Sequence, residues 1–212
     1  MLYIKKQNQP DKFTQYAGSV NAHFDDMPSE VKSVLRKSLL EEQGYLCAYC
    51  MQRIAVDDVK IEHYVPRNLQ NELRYSNLLA VCKGGEGRAK IHQTCDTHKG
   101  NTELHIDPQL VGDIETIYYT SNGYIKSSVA DYQEDLDTVL NLNDEDGYLV
   151  YNRREVLKSF QHQLFKRAGN VRINKEYFIK CLKRYSSLND SGEYVPYVGI
   201  ILWYLKKKIN SL

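Results

Sequence analysis

Cys47-Ala-Tyr-Cys50, Ile61-Glu62-His63-Tyr64-Val65-Pro66-Arg67, Tyr75-Ser76-Asn77-Leu78-Leu79 and Cys95-Asp96-Thr97-His98-Lys99-Gly100-Asn101 succeed one another in a single stretch of the chain. The first and last carry thiols, and Cys82 adds another between them. Structural zinc takes a closed tetrahedral shell of thiolate and imidazole ligands, so Cys47, Cys50, Cys82 and Cys95 form a candidate zinc shell. A CxxC pair also suits a thioredoxin-like redox site, but no βαβ pattern surrounds this one and two distant cysteines would go unexplained. The twelve residues between Cys82 and Cys95 are a wide spacing for a zinc pair, and His92 or His98 could replace one thiol. Cys181 reads as a small buried hydrophobe on the apolar side of a helix.

Around these motifs, short apolar runs alternate with turn residues, and Gly84, Gly85 and Gly87 interrupt a polar loop, which predicts hairpins, loops and one short helix. Upstream, Asp26, Pro28 and Glu30 start a helix, Val31, Val34, Leu35 and Leu39 share a face, and Gly44 stops it. Downstream, the run IETIYYTSNGYIKSSV around Asn122-Gly123 predicts a hairpin. An acidic stretch over 131–146 precedes amphipathic segments at 152–168, 174–186 and 195–209. The chain thus divides into an N-terminal segment and helix (1–45), a cysteine-braced module (46–105), a hairpin with an acidic connection (106–150) and a basic helical region (151–212). No repeat or Pro/Ser-rich linker intervenes.

With 212 residues, 42% hydrophobic and 26% charged, the chain is long enough for a real core and is not biased toward disorder. Its longest apolar stretch, 195–205, is broken by Pro196 and Gly199 and is too short to span a bilayer. The opening MLYIKKQNQPDKF does not read as a secretory signal, so a cytoplasmic location follows by default. The net charge of +1 conceals polarity: residues 101–150 hold 11 acidic side chains against one basic, and 151–212 hold 13 basic against 4 acidic. The basic third either binds phosphates or folds against the acidic middle and neutralises it, and the second expectation is preferred.

An acid beside a histidine, an asparagine before leucines, and an acid following a cysteine form an ordered set that resembles the HNH endonuclease family. That family's ββα-metal fold carries an acid-His pair on one strand, an Asn on the next and a metal ligand on the helix, often braced by zinc-binding cysteines. More narrowly, EQGYLCAYC, IEHYVPR, YSNLL, CDTHKGN and LNLN look like the PtuB-type HNH proteins of bacterial Septu and retron anti-phage systems. The resemblance implies an α+β protein whose zinc-braced ββα-metal (HNH) module is flanked by an N-terminal helix and a helical C-terminal region. It also implies a toxic effector that works with a PtuA-type ATPase, and with a retron reverse transcriptase and its noncoding RNA. The chain departs from the family where Asp96 stands in place of the usual His or Asn, and where the second cysteine pair is split.

A phosphodiester resists hydrolysis because its charge repels nucleophiles and its leaving alkoxide is poor, and a divalent cation eases both problems. Hard cations such as Mg²⁺ want oxygen ligands, which makes Glu62 and Asp96 the candidate catalytic-metal donors. His63 titrates near neutrality and is the candidate general base. Asn77 both donates and accepts hydrogen bonds, so its expected role is to hold the loop that presents His63. Arg67 and Lys99 are candidate phosphate contacts. Neighbouring strand residues point to opposite faces, so Glu62 and His63 can serve one site only if the strand twists or ends there. His23, His105 and His162 read as ordinary histidines. DNA is the expected substrate, with RNA, including transfer RNA, open; the alternative is a non-catalytic, zinc-braced module that binds nucleic acid or protein.

Overall fold

The computed structural model describes residues 1–168 and 174–212. Helix α1 (Asp11–Ala17) follows Pro10 and buries Phe13; its one apolar anchor is too little for a sequence pattern to reveal. Pro28 precedes α2 (Ser29–Glu42), which turns Val31, Leu35, Leu39 and Leu40 into the core. Gly44 ends the exit from α2 in the left-handed region, at φ +59°.

Strands β1 (Lys60–His63) and β2 (Leu78–Val81) pair antiparallel, with Lys60 opposite Val81 and His63 opposite Leu78. Helix α3 (Cys95–Lys99) follows, giving the order strand, strand, helix. A short α4 (Val111–Glu115) then leads to a second antiparallel hairpin, β3 (Ile117–Tyr119) and β4 (Ile125–Ser127). The hairpin turns at Gly123, where φ is +96° and a Cβ would sit 2.2 Å from the Val150 carbonyl oxygen. The acidic stretch is structured: α5 (Ala130–Glu134) runs into a π-helical turn at Asp135–Val139. Buried Asp135 accepts from the amides of His105 and Ile106 at 2.6 and 2.9 Å. Three helices complete the chain: α6 (Tyr148–Ala168), α7 (Lys175–Tyr185) and α8 (Val198–Asn210).

One hydrophobic core draws on every part of the chain, from Ile4 and Leu35 through Leu79 and Ile125 to Leu157 and Leu205. The C-terminal region is built onto the cysteine turn. Tyr197 N–H donates to the Met51 carbonyl at 2.9 Å, and a Cβ on Gly199 would lie 2.7 Å from Tyr119 Oη and 2.8 Å from Met51 Cε. Two expectations need correction. Among the described residues no ion pair joins 101–150 to 151–212, so the basic third does not neutralise the acidic middle by direct pairing. Cys181 is half-buried, because α6 and α7 leave a cavity beside it that Phe160 and Tyr177 also line. No described helix is long and apolar enough to cross a membrane.

Candidate active site and metal centre

The CxxC turn is closed by a bridge between Leu46 and Arg53 and by hydrogen bonds from Cys47 N–H to the Gln52 carbonyl (2.9 Å) and from Met51 N–H to the Cys47 carbonyl (3.1 Å). Cys82 leaves the end of β2, and Cys95 opens α3. The long spacing between them is closed at its base: Thr94 N–H donates to the Gly84 carbonyl at 2.8 Å, and a Cβ on Gly84 would meet the Thr94 carbonyl oxygen at 2.1 Å. That contact returns the loop to its start and brings the two thiols together.

All four Sγ atoms lie within 4.8 Å of one another in a buried cluster. Cys47 to Cys95 and Cys50 to Cys82 are each 3.8 Å, and Cys82 to Cys95 is 3.7 Å. Zinc at about 2.3 Å from each sulfur of a tetrahedron requires edges of roughly 3.8 Å, so the donor set fits the ion. Burial opposes ionisation of Cys47, yet hydrogen bonds from the other three thiols hold it well below the usual thiol range. Burial pushes Cys50 up, and hydrogen bonds with the neighbouring thiols push Cys95 up. His92 and His98 are engaged elsewhere, with Nδ1 3.4 Å from Asp144 Oδ2 and 3.0 Å from the Val139 carbonyl, respectively.

Glu62 is buried on the face of β1 that meets α3. Its Oε1 is 2.8 Å from Lys99 Nζ and accepts from Tyr49 Oη at 3.1 Å. Its carboxyl also hydrogen-bonds that of Asp96, whose Oδ2 lies 2.8 Å from Lys60 Nζ. Burial and the Asp96 carboxyl push Glu62 up to about 8, against the pull of Lys99. Burial opposes ionisation of Asp96 too, but the Glu62 carboxyl and Lys60 hold it below the ordinary value. Two carboxyl groups set side by side are a pair of oxygen donors, and a divalent cation bound between them would take the place of the Glu62 proton. Lys99, expected at a phosphate, has a side chain 1% exposed and is committed to Glu62. The cost of leaving that acid buried and alone is what draws the ammonium inward.

His63 faces the other way. Its Nε2 is 3.0 Å from the Glu72 carbonyl oxygen, which can only accept, so the proton sits on Nε2 and the lone pair on Nδ1. Phe24 packs edge-on against the imidazole with ring centroids 4.5 Å apart, and burial lowers the pKa, favouring the neutral ring. Among the described residues no hydrogen bond or ion pair joins His63 to Glu62 or Asp96; alternation along β1 separates them. Asn77 clasps the strap after His63 from both sides, accepting from Val65 N–H at 2.8 Å and donating to the Val65 carbonyl at 3.0 Å. Arg67 is half-exposed and pairs with Asp25 at 2.6 Å.

Several neighbours escaped the motif reading. Tyr49 lies inside the CxxC pair. His23 bonds the Glu72 carboxylate at 2.9 Å, and Phe24 and Asp25 come from the segment between α1 and α2. No local pattern marks them, because their roles arise from contacts across the chain.

No protein-family model matches the chain. Curated relatives do. A protein of retron Ec83 from Escherichia coli, named for an inferred HNH endonuclease activity, is 30% identical across 41% of this chain and 41% of its own length. A similarly named protein of retron Vc95, from Vibrio cholerae serotype O1 biovar El Tor, is 36% identical across 37% of this chain and 39% of its own. The chain therefore spans about two-fifths of the length of the curated relatives it matches.

Proposed function

We propose that this chain, a relative of the HNH endonucleases, hydrolyses nucleic-acid phosphodiesters and acts as the toxic effector of a bacterial anti-phage system of the Septu or retron, PtuB type. The observation that carries the reading is the pair of carboxyl groups, Glu62 and Asp96, set together where β1 meets α3 and each ion-paired to a lysine, with His63 next to Glu62 on the same strand. In this reading β1, β2 and α3 are the ββα-metal module, and the four cysteines hold zinc as its brace.

Glu62 and Asp96 would hold the catalytic cation, Mg²⁺ or another divalent ion. When bound, it neutralises the phosphate and stabilises the leaving oxygen. His63 takes a proton from the attacking water at Nδ1, because Nε2 is committed to Glu72. Asn77 fixes the strap that orients His63. Arg67 can exchange Asp25 for a phosphate oxygen, with geometry suited to a bidentate contact. Glu62 and His63 leave β1 on opposite faces, so the reading requires a phosphodiester to reach both around the strand's end, beside the Asn77 clasp. DNA is the favoured substrate; RNA such as transfer RNA uses every residue named. A PtuA-type ATPase directs or restrains the effector, with a retron reverse transcriptase and its noncoding RNA as further partners, and the C-terminal helices offer a docking surface.

The test compares wild type with a zinc-loaded His63→Ala variant on plasmid DNA, single-stranded DNA and total bacterial RNA, with Mg²⁺, with and without the ATPase. Cleavage by wild type alone supports the reading. No cleavage under any condition sinks it. The separation of His63 from the acid pair favours one other reading, a zinc-braced binding module without catalysis, in which His63→Ala leaves the biological effect intact.

A further inference from the structure

Beside the loop that holds His63 lies an open cavity of about 410 Å³ with mixed polar and apolar walls, within the size range of small-ligand sites. Its walls are the segments that fix the imidazole. Val65 and Asn77 form one side; Asn71 and Arg74, which flank the Glu72 carbonyl bonded to His63, form the other. The amides of Asn71 and Asn77 are spent on the loop itself: Asn71 donates to the Pro66 carbonyl at 3.0 Å and accepts from Asn68 N–H at 2.8 Å, and Asn77 clasps Val65.

Other groups remain for a ligand. Neither the Arg74 guanidinium nor the Ser76 hydroxyl has a hydrogen-bond or ion-pair partner among the described residues, and both residues are exposed. Asp107, which lines the cavity, accepts from Gln109 N–H through Oδ1 at 2.7 Å, and its Oδ2 has no hydrogen-bond partner among the described residues. The Tyr64 ring is held at the wall by its hydroxyl, which donates to the Leu104 carbonyl at 3.3 Å. A phosphate would have no use for the carboxylate, and an apolar ligand would leave both charges unmet. A nucleobase offers donors and acceptors on one edge and a π-face for an aromatic ring.

We propose that this cavity is a nucleobase subsite, seating the nucleotide next to the scissile phosphodiester with Tyr64 against its face and Arg74 and Asp107 against its edge. The proposal rests on the endonuclease reading of the adjoining His63.

The test sequences the product ends of random-sequence DNA and RNA pools cut by wild type, Arg74→Ala and Asp107→Asn. The expected result is a base preference at one position beside the cut that flattens in both variants, with KM raised roughly tenfold. Unchanged end sequences and KM would overturn the subsite. If wild type cuts neither pool, with or without the ATPase, the endonuclease reading fails by itself, and titration of the full chain with the nucleoside monophosphates, followed by amide NMR, decides the subsite. Saturable shifts at residues 71–77 and 107–109 support it; their absence at millimolar nucleotide refutes it.

Discussion

Glu62→Gln should remove a pH dependence of stability that this acid imposes on the zinc-loaded protein in the absence of Mg²⁺. In the unfolded chain Glu62 titrates near its ordinary 4.5, and in the folded protein burial and the Asp96 carboxyl raise it to about 8. Between those values the folded state keeps a proton the unfolded state has released, so stability is full below the lower value and falls as pH rises toward the upper one. The slope approaches ~1.4 kcal/mol per pH unit, and the complete loss is on the order of 5 kcal/mol. Solvent screening is small, since the Glu62 side chain is 6% exposed. The assay is urea unfolding of wild type and Glu62→Gln at intervals from about pH 5 to about pH 9. The wild type should lose stability relative to the variant across this window and level off above about pH 8. If the acid pair holds the cation as proposed, millimolar Mg²⁺ should stabilise the wild type more at the alkaline end, because binding there would displace the Glu62 proton. A flat difference between the two proteins would show that Glu62 holds no proton in the folded state. It would mean that Lys99, 2.8 Å away, keeps Glu62 ionised throughout.

Cys95→Ser should reduce bound zinc from one ion per chain to none, read by elemental analysis, and should broaden the unfolding transition because the Gly84–Thr94 closure loses its metal anchor. Asn77→Ala removes both hydrogen bonds to Val65 and should cost about 1–3 kcal/mol by denaturant unfolding, with a fall in kcat larger than any change in KM. Asn77→Asp keeps the bond from Val65 N–H but sets a buried carboxylate oxygen against the Val65 carbonyl, and should cost at least as much as the alanine variant. Gly199→Ala forces a Cβ to within 2.7 Å of Tyr119 Oη and 2.8 Å of Met51 Cε, and should destabilise by about 1–3 kcal/mol while the cysteine ligands themselves are unchanged. An alanine variant as stable as wild type would show that α8 is not seated on the cysteine turn as described.

The features whose cause is local are legible in the amino-acid sequence. Pro28 and the Val31, Leu35, Leu39 spacing define α2, Asn122-Gly123 defines a turn, and CxxC confines two thiols to one tight loop. In each, neighbouring residues supply both the propensity and its reason. Tertiary structure alone decided the rest. Cys82 meets Cys95 because Gly84 lets the backbone close on Thr94, a contact with no periodicity to read. Lys99 reads as a phosphate contact in sequence and becomes the buried partner of Glu62, because desolvating that acid without a counter-charge is too costly. Glu62 and His63 are adjacent in the chain yet face different surroundings, as strand geometry requires. Phe24 reaches His63, and Arg74 borders an open cavity with Asp107, only through the packing of segments distant in sequence. Side-chain identity specifies which chemistry is available; the burial and orientation that put it to use are properties of the folded chain.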